Sequence, residues 1–262
     1  MKTILTLVLY FLIVFSSQFG YSQNDDWFTV VYNNVPSDNN LKTQWGYAAW
    51  IEKGDEVILF DTGTKSGILQ ENLRKLGLDP CRVNAIAISH EHLDHTGGLE
   101  SVLKQVKNGT KVYLPNDFNP SFKKEYDKIT FIVNDKYREI AKDIWITEIF
   151  IDNNRGIKEQ ALILEKGEKI IMITGCAHPG IAEMCQSVKD HFPDKKLELV
   201  TGGFHLMQMS EERVTQISDK IKQLGFEKVA PSHCTGDHSI AIFKKAWKDD
   251  FVQLNLGDSY HF

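Results

Sequence analysis

The sequence predicts an α/β (α+β) fold in which two β-sheets pack face to face between outer helices, forming a four-layer αββα sandwich. Short runs rich in Val, Ile and aromatic residues recur along the whole chain, and a few amphipathic helical stretches separate them. Each half of the chain ends in strand and helix pairs. With 262 residues and 42% hydrophobic content, the chain is long enough to bury such a core as one domain.

The first 22 residues are typical of a secretory signal peptide. Lys2 gives a positive start, an apolar run extends from Ile4 to Phe15, and Gly20 and Ser22 belong to a small-residue stretch suited to cleavage. The run is too short for a membrane span, which needs about 20 apolar residues in a helix. We therefore expect residues 23–262 to form one domain that is exported to the periplasm or the medium, without stable membrane insertion.

In the first half of the chain, the sequence predicts three strands before any helix. The strands are crowded with β-branched and aromatic residues, and the first helix shows apolar residues at helical spacing and stops at Gly77. The predicted strands are Trp27–Tyr32, Tyr47–Ile51, Glu56–Phe60 and Val83–Ile88, and the predicted helices are Ser66–Leu76 and Gly97–Val106.

In the second half of the chain, the sequence predicts further short strands, followed by three pairs of a strand and a helix at the end of the chain. The expected strands are Lys111–Leu114, Thr130–Val133, Ile144–Phe150, Ala161–Leu164, Lys169–Ile173, Leu197–Val200 and Lys228–Ala230. Helices are expected from about Pro179, after Ser210 and from about Asp237. Ser210 is a good N-cap, and the acidic residues Glu211 and Glu212 suit the first turn of a helix.

Charge and cysteine content exclude some classes of protein. The net charge of −5 is scattered, and no Lys/Arg cluster is present that would follow a phosphate backbone, so nucleic acid is not an expected partner. The four cysteines, Cys81, Cys176, Cys185 and Cys234, are too few for a disulfide scaffold in a chain of this length, although one bridge is compatible with export.

A cluster of metal-binding residue types follows the buried strand. His90, His92, Asp94 and His95 lie within six residues. Residues two apart in an extended segment project to the same side, so His90 and His92 can face one metal while Asp94 and His95 face a second. A chance grouping is common for a single histidine but improbable for three histidines and an aspartate at this spacing. The sequence therefore predicts a two-metal site.

The run HEHLDHTGG resembles the HxHxDH motif of the metallo-β-lactamase superfamily, and the Asp-Thr-Gly at 61–63 resembles the strand end that precedes that motif. Three more segments contain a histidine in a turn after a predicted strand: ITGCAHPGI, VTGGFHL and APSHCTG. Together they are similar to the branch named after 7,8-dihydropterin-6-yl-methyl-4-(β-D-ribofuranosyl)aminobenzene-5′-phosphate synthase. The resemblance extends over essentially the whole chain after the signal segment and implies the metallo-β-lactamase fold.

The resemblance also implies a set of metal ligands and two metal ions. The first metal would be bound by His90, His92 and His178, and the second by Asp94, His95 and His233. Two Zn²⁺ ions are expected, with Mn²⁺ or Fe as alternatives.

Four residues are expected to assist the metal ligands. Asp61 would accept the far N–H of a ligating histidine and so fix its tautomer. Asp94 and His205 are the candidates for proton transfer, and His205 is also a possible ligand. Many superfamily members have a bridging aspartate at a strand end where this chain has Cys176. Cys176 is expected to support the site, and Cys176, His205 or water are the alternatives for the bridge.

These residues predict an exported metal-dependent hydrolase in which a metal-activated water attacks a small phosphoester, lactone or related ester. One alternative is a non-catalytic protein of the same fold that holds a metal or ligand. A second alternative is an iron-dependent redox enzyme, which is disfavoured because that group usually has a carboxylate where this chain has His92. The identity and number of the bound metal ions would distinguish these three functions.

Overall fold

The structure is a computed structural model that describes residues 26–36, 40–116 and 118–262. The predicted signal segment, residues 1–22, lies outside the described residues. Within the described part of the chain, no helix is both long and apolar enough to cross a membrane. Two large sheets pack face to face with helices outside them, so the predicted four-layer sandwich is confirmed.

The secondary structure alternates short strands with six α-helices in the described residues. The strands are β1 (Trp27–Tyr32), β2 (Ala48–Lys53), β3 (Glu56–Phe60), β4 (Ala85–Ala87), β5 (Lys111–Pro115), β6 (Thr130–Asn134), β7 (Arg138–Ala141), β8 (Ile144–Ile146), β9 (Phe150–Ile151), β10 (Lys158–Glu159), β11 (Leu162–Lys166), β12 (Lys169–Thr174), β13 (Lys196–Gly203), β14 (Lys228–Ser232) and β15 (Ser259–His261). The helices are α1 (Ser66–Leu76), α2 (Leu93–Thr96), α3 (Leu99–Leu103), α4 (Ile181–His191), α5 (Glu211–Leu224) and α6 (Asp237–Trp247).

Each sheet combines an antiparallel part with a parallel part. The first sheet has the order β15-β1-β2-β3-β4-β5-β6 and is parallel from β3 to β6. The second sheet has the order β14-β13-β12-β11-β8-β7 and is parallel from β12 to β14. Strands β9 and β10 form a separate two-stranded ribbon. The parallel strands matter for function because open sheets bind ligands beyond the carboxyl ends of such strands.

Three apolar layers hold the sandwich together. The central layer lies between the two sheets and includes Phe28, Phe60 and Ile173, all fully buried. An outer layer packs α1 and α3 against the first sheet, and another packs α4, α5 and α6 against the second, where Phe243 and Trp247 are buried. Strands buried on both faces require continuous apolar runs, as the sequence of the central strands shows.

Several predicted boundaries are wrong, for identifiable reasons. The predicted strand Val83–Ile88 shrinks to β4 because Val83 ends a 3₁₀ turn at Pro80–Arg82. The predicted helix Gly97–Val106 is the shorter α3, with α2 before it inside the histidine motif. The predicted strand Ile144–Phe150 is divided into β8 and β9, because the chain leaves the second sheet to form the ribbon. Strands β7, β10 and β15 were not predicted.

Candidate metal centre

The candidate ligands lie at one end of the sandwich, where parallel strands of both sheets finish. His90 lies beyond β4 of the first sheet, and Cys176, His205 and His233 lie beyond β12, β13 and β14 of the second. Asp61 follows β3 directly. Residues distant in sequence therefore converge because the strands that precede them are neighbours.

A glycine pair brings the histidine motif against the segment that follows β3. A Cβ atom at Gly97 would collide with the backbone oxygen of Thr64, and one at Gly98 would collide with that of Thr62. Only glycine permits this approach of backbone to backbone. The Thr62 N–H donates to the backbone oxygen of His95, which fixes α2 beside Asp61. The pair Gly97 and Gly98 is therefore a packing requirement of the site.

Four non-glycine residues around the site adopt left-handed backbone conformations. Asp61, Ala177, His205 and His233 have φ of 57°, 56°, 53° and 50°. Such conformations cost on the order of 1 to 3 kcal/mol each and concentrate at functional sites. The surrounding structure holds the turns after β3, β12, β13 and β14 in an unfavourable geometry that points their side chains inward.

The first ligand group consists of three imidazoles. The Nε2 of His90 lies 3.1 Å from the Nδ1 of His92, and the His178 ring centroid is 4.9 Å from that of His90 and 4.8 Å from that of His92. Both ring nitrogens of His178 are buried without a hydrogen-bond partner among the described residues. Burial lowers the pKa of His178 to about 3. The imidazole is therefore uncharged at neutral pH and can bind a metal ion without first losing a proton.

The second ligand group is built around Asp94. Its Oδ2 lies 3.5 Å from the Nε2 of His95 and 3.3 Å from the Nε2 of His233. Burial alone would raise the pKa of Asp94, but hydrogen bonds and positive charge from His233 and His95 hold it well below the usual range. The His233 Nδ1 lies 2.6 Å from the Oδ1 of Asn34, which leaves Nε2 facing Asp94. Asp94 is therefore a carboxylate between two imidazole nitrogens.

Asp61 fixes both the metal loop and one ligand. Its carboxylate accepts hydrogen bonds from the N–H and the hydroxyl of Ser89, both at 2.7 Å, and lies 2.7 Å from the Nδ1 of His95. Burial would lower the pKa of His95, but the negative charges of Asp61 and Asp94 raise it to about 10. The proton on Nδ1 is held by Asp61, which leaves Nε2 for a metal.

Cys176 lies beside both groups, and His205 lies beside the first. The sequence predicted Cys176 as a supporting residue or a bridging ligand, and its sulfur lies 3.3 Å from the Nε2 of His95 and among the candidate ligand atoms. The His205 ring centroid is 4.1 Å from that of His178, on the cavity side. Cys176 and Cys234 are free thiols, as are Cys81 and Cys185, so the possible disulfide is not formed.

The donor set fits divalent metal ions. Donor atoms of Asp94, His95, Cys176 and His233 all lie within 4.8 Å of one another, and the same holds for His90, Cys176 and His178. Buried imidazole nitrogens without partners are costly unless they bind something. Nitrogen, oxygen and sulfur ligands converging in this way suit Zn²⁺ and similar ions.

Comparison with known proteins agrees with this geometry. The sequence profile of the metallo-β-lactamase superfamily matches residues 46–181, which include the histidine motif and the turn that contains His178. This chain belongs to the metallo-β-lactamase superfamily. Its members are typically metal-dependent hydrolases.

Individual relatives extend the likeness over most of the chain. The chain is 28% identical to the 7,8-dihydropterin-6-methyl-4-(β-D-ribofuranosyl)-aminobenzene-5′-phosphate synthase of Methanocaldococcus jannaschii, over 76% of this chain and 82% of that protein. It is 30% identical to an uncharacterised protein of the same organism, over 82% of this chain and 92% of the relative. A crystal structure of a metal-dependent hydrolase of the β-lactamase superfamily matches with a TM-score of 0.76 and 24% identity, covering 90% of this chain and 99% of the other.

One buried carboxylate of this superfamily member was missed by the sequence reasoning. Glu159, fully buried, accepts hydrogen bonds from the N–H groups of Cys176 at 2.8 Å, Ala177 at 2.7 Å and His178 at 2.9 Å. Burial raises the pKa of Glu159 to about 7, although the three N–H groups favour the charged form. Nothing in the sequence around Glu159 marks it, because its partners lie 17 to 19 residues away.

Arg155 and Trp45 were also missed. Arg155 lies in the turn between β9 and β10, and its guanidinium donates to the Nε2 of His205 at 2.9 Å. The Trp45 ring centroid is 4.8 Å from that of His233, and 42% of Trp45 is exposed. Both residues line a cavity of about 310 Å³ beside the ligands. Neither residue belongs to a recognisable sequence motif, because Arg155 lies in an irregular turn and Trp45 in a loop.

Replacing Asp61 with asparagine is expected to weaken binding at the second group by roughly 10- to 100-fold, because His95 loses the carboxylate that holds its Nδ1 proton. Zinc titration in competition with a chromophoric chelator measures this affinity. The matched control is Asp79→Asn, which alters an exposed aspartate that caps a 3₁₀ turn far from the ligands. Equal zinc affinity in Asp61→Asn and the parent protein would contradict the role of Asp61.

Proposed function

We propose that this chain is an exported, dinuclear zinc hydrolase that acts on a phosphoester, lactone or related ester, with anionic substrates preferred. The observation that carries the proposal is the convergence of two ligand groups beside a cavity that contains a cationic side chain. When bound, such a metal pair activates water as the nucleophile and polarises the ester oxygen under attack. The charged start and apolar run of residues 1–22 support export.

The ligands divide between the two ions by position. The first group consists of His90, His92 and His178, and the second of Asp94, His95 and His233. Zinc is the preferred metal because imidazole, carboxylate and thiolate together match its ligand chemistry. A catalytic role is favoured over metal binding alone because only catalysis accounts for the candidate proton-transfer residues beside the ligands.

His205 is placed to hold a proton beside the ligands. The Arg155 guanidinium can only donate, so the Nε2 of His205 accepts, and the neutral ring carries its proton on Nδ1. The neighbouring Cys234 sulfur raises the pKa of His205, while burial opposes this rise. We propose that His205 supplies the proton to the leaving group, and that the Asp94 carboxylate orients the attacking water by accepting a hydrogen bond from it.

The cavity beside the ligands favours a substrate with an anionic end and an apolar part. Trp45, Met207 and Met209 supply apolar walls, and each has more than a third of its surface exposed. Arg155 supplies a planar cation that suits the oxygens of a phosphate or carboxylate. Pockets of this kind orient ligands with few polar groups on an apolar surface.

Arg155→Gln is expected to raise KM roughly 10-fold or more for phosphoesters, because a charge-assisted hydrogen bond contributes roughly 1.5 to 3 kcal/mol. The same change is expected to leave KM for an uncharged lactone or thioester unaltered. The measurement is hydrolysis by zinc-reconstituted protein of a panel of phosphomonoesters, phosphodiesters, lactones and thioesters. Chelator-treated protein is expected to be inactive on all of them.

The matched control is Arg213→Gln, since Arg213 is exposed on α5 and is not among the residues that line the cavity. Equal effects of Arg155→Gln on charged and neutral substrates would contradict a role in anion binding. Zinc-loaded protein that hydrolyses nothing in the panel would favour the non-catalytic alternative and refute the proposed function.

A further inference from the structure

The sulfur of Cys176 occupies a position shared by both ligand groups. Its Sγ lies within 4.8 Å of donor atoms of Asp94, His95 and His233, and within the same distance of donor atoms of His90 and His178. Among the described residues, Cys176 is the one side chain common to the two ligand groups, and it also lies within 4.8 Å of donor atoms of His205 and Cys234 in a third cluster. A single atom in that position can contact two ions at once.

Charge balance favours an anion at this position. Two divalent ions carry four positive charges, whereas the histidines of both groups bind as neutral ligands and Asp94 supplies one negative charge. Uncompensated charge in a buried site is costly. Cys176 is 3% exposed, and a thiolate there would place a second negative charge between the ions, because metal binding deprotonates a coordinating thiol.

The backbone that carries the Cys176 side chain is held in place on both sides. The Cys176 N–H is held by the buried Glu159 carboxylate at 2.8 Å, and a Cβ on the preceding Gly175 would collide with the hydroxyl of Ser89. The next residue, Ala177, has φ of 56°. These constraints leave the backbone of the turn little freedom, so the Cα atom of Cys176 is positioned before any ion binds.

We propose that the Cys176 thiolate bridges the two metal ions of this centre. The inference rests on the dinuclear site of the proposed function and adds its bridging ligand. When the metal ions bind, the single proton of the Cys176 thiol is released to solvent as the metal–sulfur bonds form, so the site carries one positive charge fewer than it would with a neutral thiol.

Cobalt substitution tests the bridge without relying on activity. Co²⁺ is titrated into metal-free protein while near-ultraviolet absorption from thiolate-to-cobalt charge transfer is followed, and bound cobalt is counted by elemental mass spectrometry. With a bridge, the band grows through both the first and the second equivalent of cobalt. A band complete after one equivalent would place the sulfur on one ion only and overturn the proposal.

Four variants locate the sulfur. Cys176→Ala is expected to lose the band and to bind the second cobalt ion at least about 100-fold more weakly. Removing a residue that only supports a metal ligand weakens metal binding by roughly 10- to 100-fold, so the loss of a bridging ligand should be at least as large. Cys176→Asp is expected to lose the band but retain both ions, because a carboxylate can bridge. Cys234→Ala and the exposed-site control Cys81→Ala are expected to keep the band. Circular dichroism confirms that each variant is folded.

The outcomes separate the bridge from the proposed function. Two cobalt ions without a charge-transfer band, or a band that persists in Cys176→Ala and disappears in Cys234→Ala, would refute the bridge and leave the dinuclear centre intact. Protein that binds no cobalt and no zinc would refute the metal centre itself, and the bridge with it.

Discussion

His92→Ala is expected to remove about one metal ion per chain and to lower kcat/KM roughly 10³-fold, because a metal ion supplies several kcal/mol of transition-state stabilisation. The His92 ring forms one wall of the first ligand group, with its Nδ1 3.1 Å from the Nε2 of His90. His233→Ala is expected to have a comparable effect on the second group. Elemental mass spectrometry of protein purified without added metal or chelator measures the metal content.

The matched control for both variants is His238→Ala, because His238 is an exposed histidine on α6. About two zinc ions per chain in the parent and in His238→Ala, with fewer in the other two variants, is the expected pattern. Iron in place of zinc would revive the redox alternative. Unchanged metal content in His92→Ala and His233→Ala would contradict the ligand assignment.

Glu159→Ala is expected to lower the free energy of unfolding by roughly 2 to 4 kcal/mol at neutral pH, because three buried N–H groups lose their acceptor. The turn from Cys176 to His178 also loses its anchor, so metal binding should weaken together with stability. Denaturant unfolding of the metal-free protein measures the first effect, and zinc titration measures the second. Unchanged unfolding and zinc affinity would show that the turn does not depend on Glu159.

Glu159→Gln separates the two effects. The amide oxygen can replace Oε1, which accepts from Cys176 and Ala177, but the amide nitrogen then faces the N–H of His178, which Oε2 accepts in the parent. We expect a smaller loss of stability than in Glu159→Ala, with zinc binding still weakened at the first group. The matched control is Glu168→Gln, since Glu168 is exposed and its carboxylate lies 3.6 Å from the Lys196 ammonium on the surface.

The pH dependence of unfolding gives Glu159 a second signature. Its pKa in the fold is about 7, above the ordinary value of 4.5, so the folded chain binds this proton more tightly than the unfolded chain. The resulting stabilisation is complete below about pH 4.5 and is lost as the pH rises through about 7. Glu159→Gln removes this loss, so the stability of the metal-free variant relative to the parent should increase between these pH values.

Elements with a strong local pattern were predicted well. Strands β1 and β3 and helix α1 have the predicted limits, because alternating or apolar runs and a terminal glycine are signals carried by neighbouring residues. The histidine motif belongs to the same class, since four donors within six residues need no tertiary information to be noticed. Strand β15 was missed because it is short and pairs with β1, at the far end of the chain.

The sequence by itself determined the fold class through its pattern of strands and helices. It also determined the superfamily and the residue types of the metal centre, through the resemblance of a compact histidine motif to that superfamily. Only the tertiary structure placed Glu159 beneath the Cys176 to His178 turn, Arg155 on His205, and the Cys176 sulfur between the two ligand groups. These contacts join residues that lie far apart in the sequence and belong to no common motif. They depend on which strands are neighbours in each sheet and on how the two sheets face each other, which is set by packing of the whole core.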